Sequence, residues 1–215
     1  MSAIEIHASS PLQDHPGASA SPRNQTDAGC LLSDWSLLPR VGFRGTDTPT
    51  TLTGQGYQLP EQPNQASRQT DGSLLLRLSA KECMLLASSQ ASAARIEQLE
   101  QRWQQNSARH YLLPRMDSHA WFHLQGPALP QLLAKLCAID LRTVRFTPGQ
   151  LVQTSVARNN AIVVNSGGAQ QSQFELLCDR ATARYMWDVL LDAMAEFNGQ
   201  VIAADTDLAN QGDID

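Results

Sequence analysis

The stretch Ala181 to Phe197, ATARYMWDVLLDAMAEF, limits this 215-residue chain more than any other. Ala183, Met186, Trp187, Leu190, Leu191, Met194 and Phe197 recur at i, i+3, i+4 and i+7, the period of an amphipathic helix, and Gly199 stands where a C-terminal stop belongs. A helix with so wide an apolar stripe needs a surface to lie on. The residues before it supply strands. AWFHLQ alternates like a strand and is broken by Gly126-Pro127, after which LPQLLAKLCA forms a short helix with the apolar face Leu129, Leu132, Leu133 and Leu136. LVQTSVAR and AIVVN flank Asn159-Asn160, which predicts a tight hairpin, and FELLC follows the loop SGGAQQSQ as another strand.

Further upstream, SLLLRLS and ECMLLASS are short apolar runs of strand type. Ser92 to Gln105 spaces Ile96, Leu99 and Trp103 as a helix would, with Ser92 as its N-cap, and Tyr111 to Met116 reads as a short extended piece. The succession predicts an α+β fold in which helices cover one face of a mostly antiparallel sheet.

Residues 1–30 are rich in Ser, Ala, Pro, Asp and Asn and predict a disordered N-terminal arm, because such a segment cannot offset its ordering entropy by burial. They also account for an apolar fraction of 42%, slightly low for a compact domain. Residues 31–72 open with LLSDWSLLPRVGFRG and continue through Gly and Pro punctuation without a sustained period, which predicts an extended wrapping segment. The α+β domain is expected over 73–199, and 200–215 reads as a flexible acidic tail.

A formal charge of −5 gives no electrostatic grip on phosphate backbones, so nucleic acid is not an expected partner. No run approaches the roughly 18 to 20 apolar residues of a membrane span, and the N-terminus lacks the pattern of a secretory signal, so a cytoplasmic location is expected. Cys30, Cys83, Cys137 and Cys178 form no CxxC pair, and the last three sit in apolar runs, which predicts buried thiols rather than disulfides or a metal ribbon.

His119 and His123 bracket Trp121 in SHAWFHLQGP. In a strand all three share a face, with the two histidines roughly 13 Å apart, too far to ligate one ion easily. Ala120 also stands where the zinc motif HExxH needs Glu. The expectation is a half-exposed sheet face used for assembly. Ser166 has no GxSxG elbow or evident base, and GFRG, TGQG and NSGG do not meet the spacing of a phosphate loop. Asp140 and Asp179 sit beside helix ends, where capping is the ordinary role, while Trp121, Trp187 and Phe197 read as core or interface. No catalytic, cofactor-binding or metal-binding residue is therefore assigned.

LLSDWSLLPRVGFRG, LRLSAKECMLL, SHAWFHLQGPALPQLLAKLCAIDLR, QTSVARNNAIVV and FELLCDRATARYMWDVLLDAMAEFNG, in this order, resemble the gamma subunit family of heterotetrameric sarcosine oxidase from about Leu31 to Gly199. AKLCAIDLR, QTSVAR and YMWDVLLDAM carry the resemblance most specifically. It implies a fold like part of the folate-binding aminomethyltransferase domain. It also implies a non-catalytic structural subunit of a flavoenzyme complex that oxidatively demethylates sarcosine to glycine. In that family alpha holds NAD and a tetrahydrofolate site, beta holds FAD and covalent FMN, and delta binds zinc. The gamma chain holds none of these and packs chiefly against alpha. The alternative is a stand-alone folate-binding one-carbon-transfer protein of the same fold. The Asn165-Ser166-Gly167-Gly168 stretch only faintly echoes the loop such enzymes use, and no folate role is carried onto it.

Overall fold

A computed structural model describes residues 9–20, 28–103, 109–168 and 171–204. Its strands and helices run in the order β1 (Leu31–Asp34), β2 (Arg40–Arg44), α1 (Thr48–Gly54), β3 (Gln65–Arg68), β4 (Leu74–Arg77), β5 (Glu82–Leu86), α2 (Gln90–Trp103) and β6 (Tyr111–Pro114). They continue with β7 (His119–Gln125), α3 (Leu129–Ala134), β8 (Leu151–Val156), β9 (Asn159–Asn165), β10 (Gln173–Asp179), α4 (Ala183–Met194) and β11 (Gln200–Val201). The fold is α+β, as the patterning predicts, but there are two sheets. One has the order β11-β1-β7-β10-β9-β8 and the other β3-β4-β5-β2-β6; β11 and β1 pair in parallel and the other adjacent strands antiparallel.

Strand alternation explains the layers. Ala120, Phe122 and Leu124 of β7 and Phe174, Leu176 and Cys178 of β10 pack under α3 and α4 with Leu129, Leu132, Met186, Trp187 and Leu190. On the second sheet Leu75, Cys83 and Leu85 face Leu52 of α1 and Ile96, Leu99 and Trp103 of α2. The intervening residues of both sheets meet in a third core: Leu74, Leu76, Met84 and Leu86 from one, Trp121, Leu151, Val164 and Leu177 from the other. Each sheet thus has helices on one face and the other sheet on the opposite face. Full burial of each large apolar side chain in these layers contributes about 1.5–3 kcal/mol.

The domain boundaries differ from the expectation. The 31–72 segment is not a wrapping strap: it supplies β1 and β2 to different sheets, then α1 and β3. Its strands are only four or five residues long, too short to show a period. Within 1–30, residues 9–20 lie against the domain with Leu12 buried, and within 200–215, β11 pairs with β1. The remaining parts of those two readings, 1–8, 21–27 and 205–215, lie outside the described residues.

Three local readings are corrected. The hairpin turns at Ala157-Arg158, with φ of 48° and 66°, and Asn159 and Asn160 lie in β9. Turn propensity is overridden because the β8 edge is pinned at both ends: Ala157 N–H donates to Leu136 O at 2.8 Å and Leu151 N–H to Asn64 O at 3.0 Å. The α2 cap is a reciprocal pair three residues before the predicted one, Ser92 N–H to Ser89 Oγ at 3.1 Å and Ser89 N–H to Ser92 Oγ at 2.9 Å. After α4 the left-handed residue is Asn198, φ 52°. Gly199 N–H then reaches back to Met194 O at 3.0 Å, where a Cβ would come within 2.6 Å of the Met194 side chain.

Candidate functional site

The strand reading of SHAWFHLQGP holds, but its assembly face is buried. His119, Trp121 and His123 point between the sheets, with Trp121 2% and His123 1% exposed. The expectation of a half-exposed face failed because a second sheet lies over it, built from segments whose periods are too short to announce it.

Antiparallel register places Glu175 of β10 directly opposite His123 of β7. Glu175 Oε1 is 2.9 Å from His123 Nδ1 and accepts from Ser166 Oγ at 2.7 Å, while Oε2 accepts from Trp121 Nε1 at 2.7 Å. Trp35 stacks on the His123 ring at 4.2 Å and meets Trp121 edge-on at 5.2 Å. Burial alone would raise the Glu175 carboxyl, but the charge and hydrogen bond of His123, with those of Ser166 and Trp121, hold it below the usual range. Sequence reasoning missed Glu175. The available signal was a carboxylate at an alternate position of the otherwise apolar run FELLC.

His119 lies at the other end of the same strand face. Burial, then the charges of Arg115 and Arg40, lower its imidazole from 6.5 to about 4, so it is neutral at physiological pH, with Nδ1 2.8 Å from Ser118 Oγ. It borders a cleft of about 530 Å³ between the sheets with Glu82, Arg115 and Asp179. The two histidines share a face, His123 meeting Glu175 and His119 meeting Ser118, and among the described residues no group of three or more His, Cys, Asp or Glu side chains could hold a metal ion.

The loop 165–168 is a tie. Asn165 Nδ2 donates to Phe146 O at 2.7 Å and Asn165 Oδ1 accepts from Gly167 N–H at 3.1 Å, while Ser166 serves Glu175. Asp179 caps the turn before α4 through Ala181 N–H at 2.8 Å, and Asp140 pairs with Arg142 at 2.6 Å. All four cysteines are free and buried. Burial pushes Cys30 and Cys83 up to about 11 and Cys178 to about 12, so these three are not activated nucleophiles.

A second, wider opening is a groove of about 900 Å³ where β7 ends and α3 begins, lined by Leu31, Pro127, Pro130, Ala134, Ile139 and Val144 among others. Ile139 is 43% and Val144 78% exposed, an unusual pairing of bare apolar side chains in one loop. The charged groups in its lining, Asp140 and Arg142, neutralise each other.

A family model of the GCVT N-terminal domain matches residues 62–207. The chain belongs to that family. An aminomethyltransferase of Saccharopolyspora erythraea is 29% identical over 126 residues, 59% of this chain and 33% of that protein, so the chain spans about a third of that curated relative. Among solved structures, a chain of heterotetrameric sarcosine oxidase from Corynebacterium sp. U-96 superposes with a TM-score of 0.71 at 20% identity, covering 88% of this chain and 96% of that one. The glycine cleavage system aminomethyltransferase T of Bartonella henselae superposes at 0.59 and 19% identity, covering 83% and 48%. Both likenesses establish the fold.

The relation to folate-binding proteins asks whether the residues here fit a folate, which needs a slot for a flat pterin, acceptors for its amino edge and a cation for its glutamate tail. The cavity beside Trp35, Trp121 and Glu175 is only about 10 Å³. In the larger openings the acidic groups are already engaged, Asp140 by Arg142, Glu82 by Arg115 and Asp179 by Ala181 N–H. Among the described residues the cavity beside Glu175 is too small for a pterin and the carboxylates of the two larger openings are engaged within the chain, so no residue is assigned to folate.

Proposed function

We propose that this chain is a gamma-type, non-catalytic structural subunit of a heterotetrameric sarcosine oxidase or a closely related secondary-amine oxidase. The complex would oxidise the CH–NH bond of sarcosine with oxygen as acceptor. The products would be glycine and hydrogen peroxide, with the one-carbon unit passed to tetrahydrofolate or released as formaldehyde. FAD, FMN, NAD, tetrahydrofolate and zinc would be held by the alpha, beta and delta subunits, and alpha would be the chief partner, in the cytoplasm.

The observation that carries the reading is the near end-to-end match to one chain of a four-chain oxidase, 96% of its length, against 48% of an aminomethyltransferase. The internal chemistry supports it: the buried carboxylate of Glu175 is engaged three times over, and two exposed apolar side chains, Ile139 and Val144, line one groove. Such a groove is what a partner surface covers.

The test is co-expression of the tagged chain with alpha-, beta- and delta-type chains. A flavin-coloured complex that retains it, and that loses it with Val144→Asp, is the expected result. A stable, monodisperse monomer without affinity for an alpha-type chain refutes the reading. Saturable binding of tetrahydrofolate to the isolated chain would favour a stand-alone one-carbon-transfer protein instead.

A further inference from the structure

Residues 9–18 cross α4 and are held through three backbone carbonyls and through the side chains of Leu12, His15 and Ser10, the last donating to Asp34 Oδ2. Arg184 and Trp187 lie three apart on one side of α4, and Arg180 sits in the 3-10 turn that leads into it. Arg180 Nη2 donates to Ser9 O, Arg184 Nε to Pro11 O at 3.2 Å and Trp187 Nε1 to Gly17 O at 3.1 Å. The segment contributes a buried anchor, Leu12, which joins the core containing Ala183 and Trp187, and Ala18 packs against the same core. Gly17 permits the close approach, since a Cβ there would lie 2.7 Å from Leu191 Cδ1. His15 Nδ1 accepts from Gly17 N–H at 3.1 Å, so Nε2 carries the proton toward Asp188 Oδ1 at 3.0 Å.

We propose that this face of α4 is a peptide-docking site whose resident occupant is the chain's own residues 9–18, a strap that a partner can displace. Leu12, the partly buried Ala18, the His15–Asp188 pair and a few hydrogen bonds barely offset the cost of ordering about ten residues, so the strap opens without unfolding the domain. The occupant selected in trans is a Pro- and Gly-broken loop of a partner protein with a leucine anchor and bare carbonyls. The inference stands on the strap geometry and does not depend on the subunit reading.

A fluorescent peptide of residues 9–19, SSPLQDHPGAS, titrated into the full-length Leu12→Asp chain tests it by anisotropy. Saturable binding is expected, at least tenfold weaker to the wild-type chain, whose site is filled, and abolished when the peptide itself carries Asp at the leucine. Absence of binding to a folded Leu12→Asp chain overturns the proposal, and equal binding to both chains does so too. Because that variant could fail to fold, hydrogen exchange on the wild-type chain gives a second measure. Amides of residues 12–18 should exchange through openings that leave α4 protected. Exchange only with global unfolding, or a dimer formed by swapping the segment between copies, would refute displacement by a partner.

Discussion

Glu175→Leu is the sharpest test of how the two sheets are held. The wild-type carboxylate accepts from Trp121 Nε1 at 2.7 Å and Ser166 Oγ at 2.7 Å and lies 2.9 Å from His123 Nδ1. Ser166 is only partly buried and can turn to water, so leucine takes this acceptor away from two buried groups, Trp121 Nε1 and His123 Nδ1. At about 1–3 kcal/mol for each group that loses this acceptor, the loss should be about 2–6 kcal/mol. Glu175→Gln keeps one acceptor oxygen but turns an amide N–H toward a donor, and should cost about 1–3 kcal/mol. Urea unfolding followed by tryptophan fluorescence measures both, since Trp35 and Trp121 report on this contact. Acid provides an independent axis. The folded carboxyl lies below its ordinary 4.5, so its stabilisation is complete above that pH and is lost as pH falls through the lower folded value. The Gln variant should lack that limb. A Leu variant within about 0.5 kcal/mol of wild type, or an unchanged acid limb in the Gln variant, would refute the account.

Arg40, 1% exposed, sends Nη1 to Ser36 O and Leu38 O at 2.9 and 3.0 Å and Nη2 to Met116 O at 3.0 Å and to His119 O. Arg40→Met should lose about 3–5 kcal/mol in urea unfolding, with Lys recovering only part because one ammonium cannot span all four carbonyls. The positive φ of Ala157 and Arg158 costs what Asn-Gly would not, so replacing the pair by Asn-Gly should raise Tm by about 2–4 °C, measured by calorimetry. His119 is depressed from 6.5 to about 4, so the unfolded chain binds its proton more tightly. Stability should therefore fall by about 2 kcal/mol as pH drops from 6.5 to 4, and His119→Gln should flatten that limb, which lies above the Glu175 window.

Periodicity made much of the six-stranded half legible. The faces of β7, α3 and α4 followed from alternation and from i, i+3, i+4 spacing, and the two histidines separated as a strand requires. The second sheet was harder to see because β2, β3 and β6 are four or five residues long and β2 pairs with strands distant in sequence, Arg40 with Leu86 and Arg44 with Tyr111. Asn159-Asn160 misled for a related reason: the turn was settled by α3 and by Asn64, neither of them local. Glu175 escaped notice because its role depends on register, and register is a property of two strands.

Where the chain is closed and where it is open argue together for assembly. Around Glu175 the polar groups of Glu175, Trp121 and Ser166 are consumed by one another beside a cavity of only about 10 Å³. A buried carboxylate so placed fixes which residues of β7 and β10 oppose one another, since a one-residue slip would carry Glu175 into the apolar layer beneath α4. The open features, the groove beside α3 and the strap on α4, belong instead to the two helices that cover the six-stranded sheet. Substitutions between the sheets should consequently act through stability, whereas substitutions at Val144 or Leu12 should act on association in a chain that remains folded. A fold inherited from a family that includes aminomethyltransferases would then serve here as a scaffold whose interior specifies its shape and whose helical layer meets its partners.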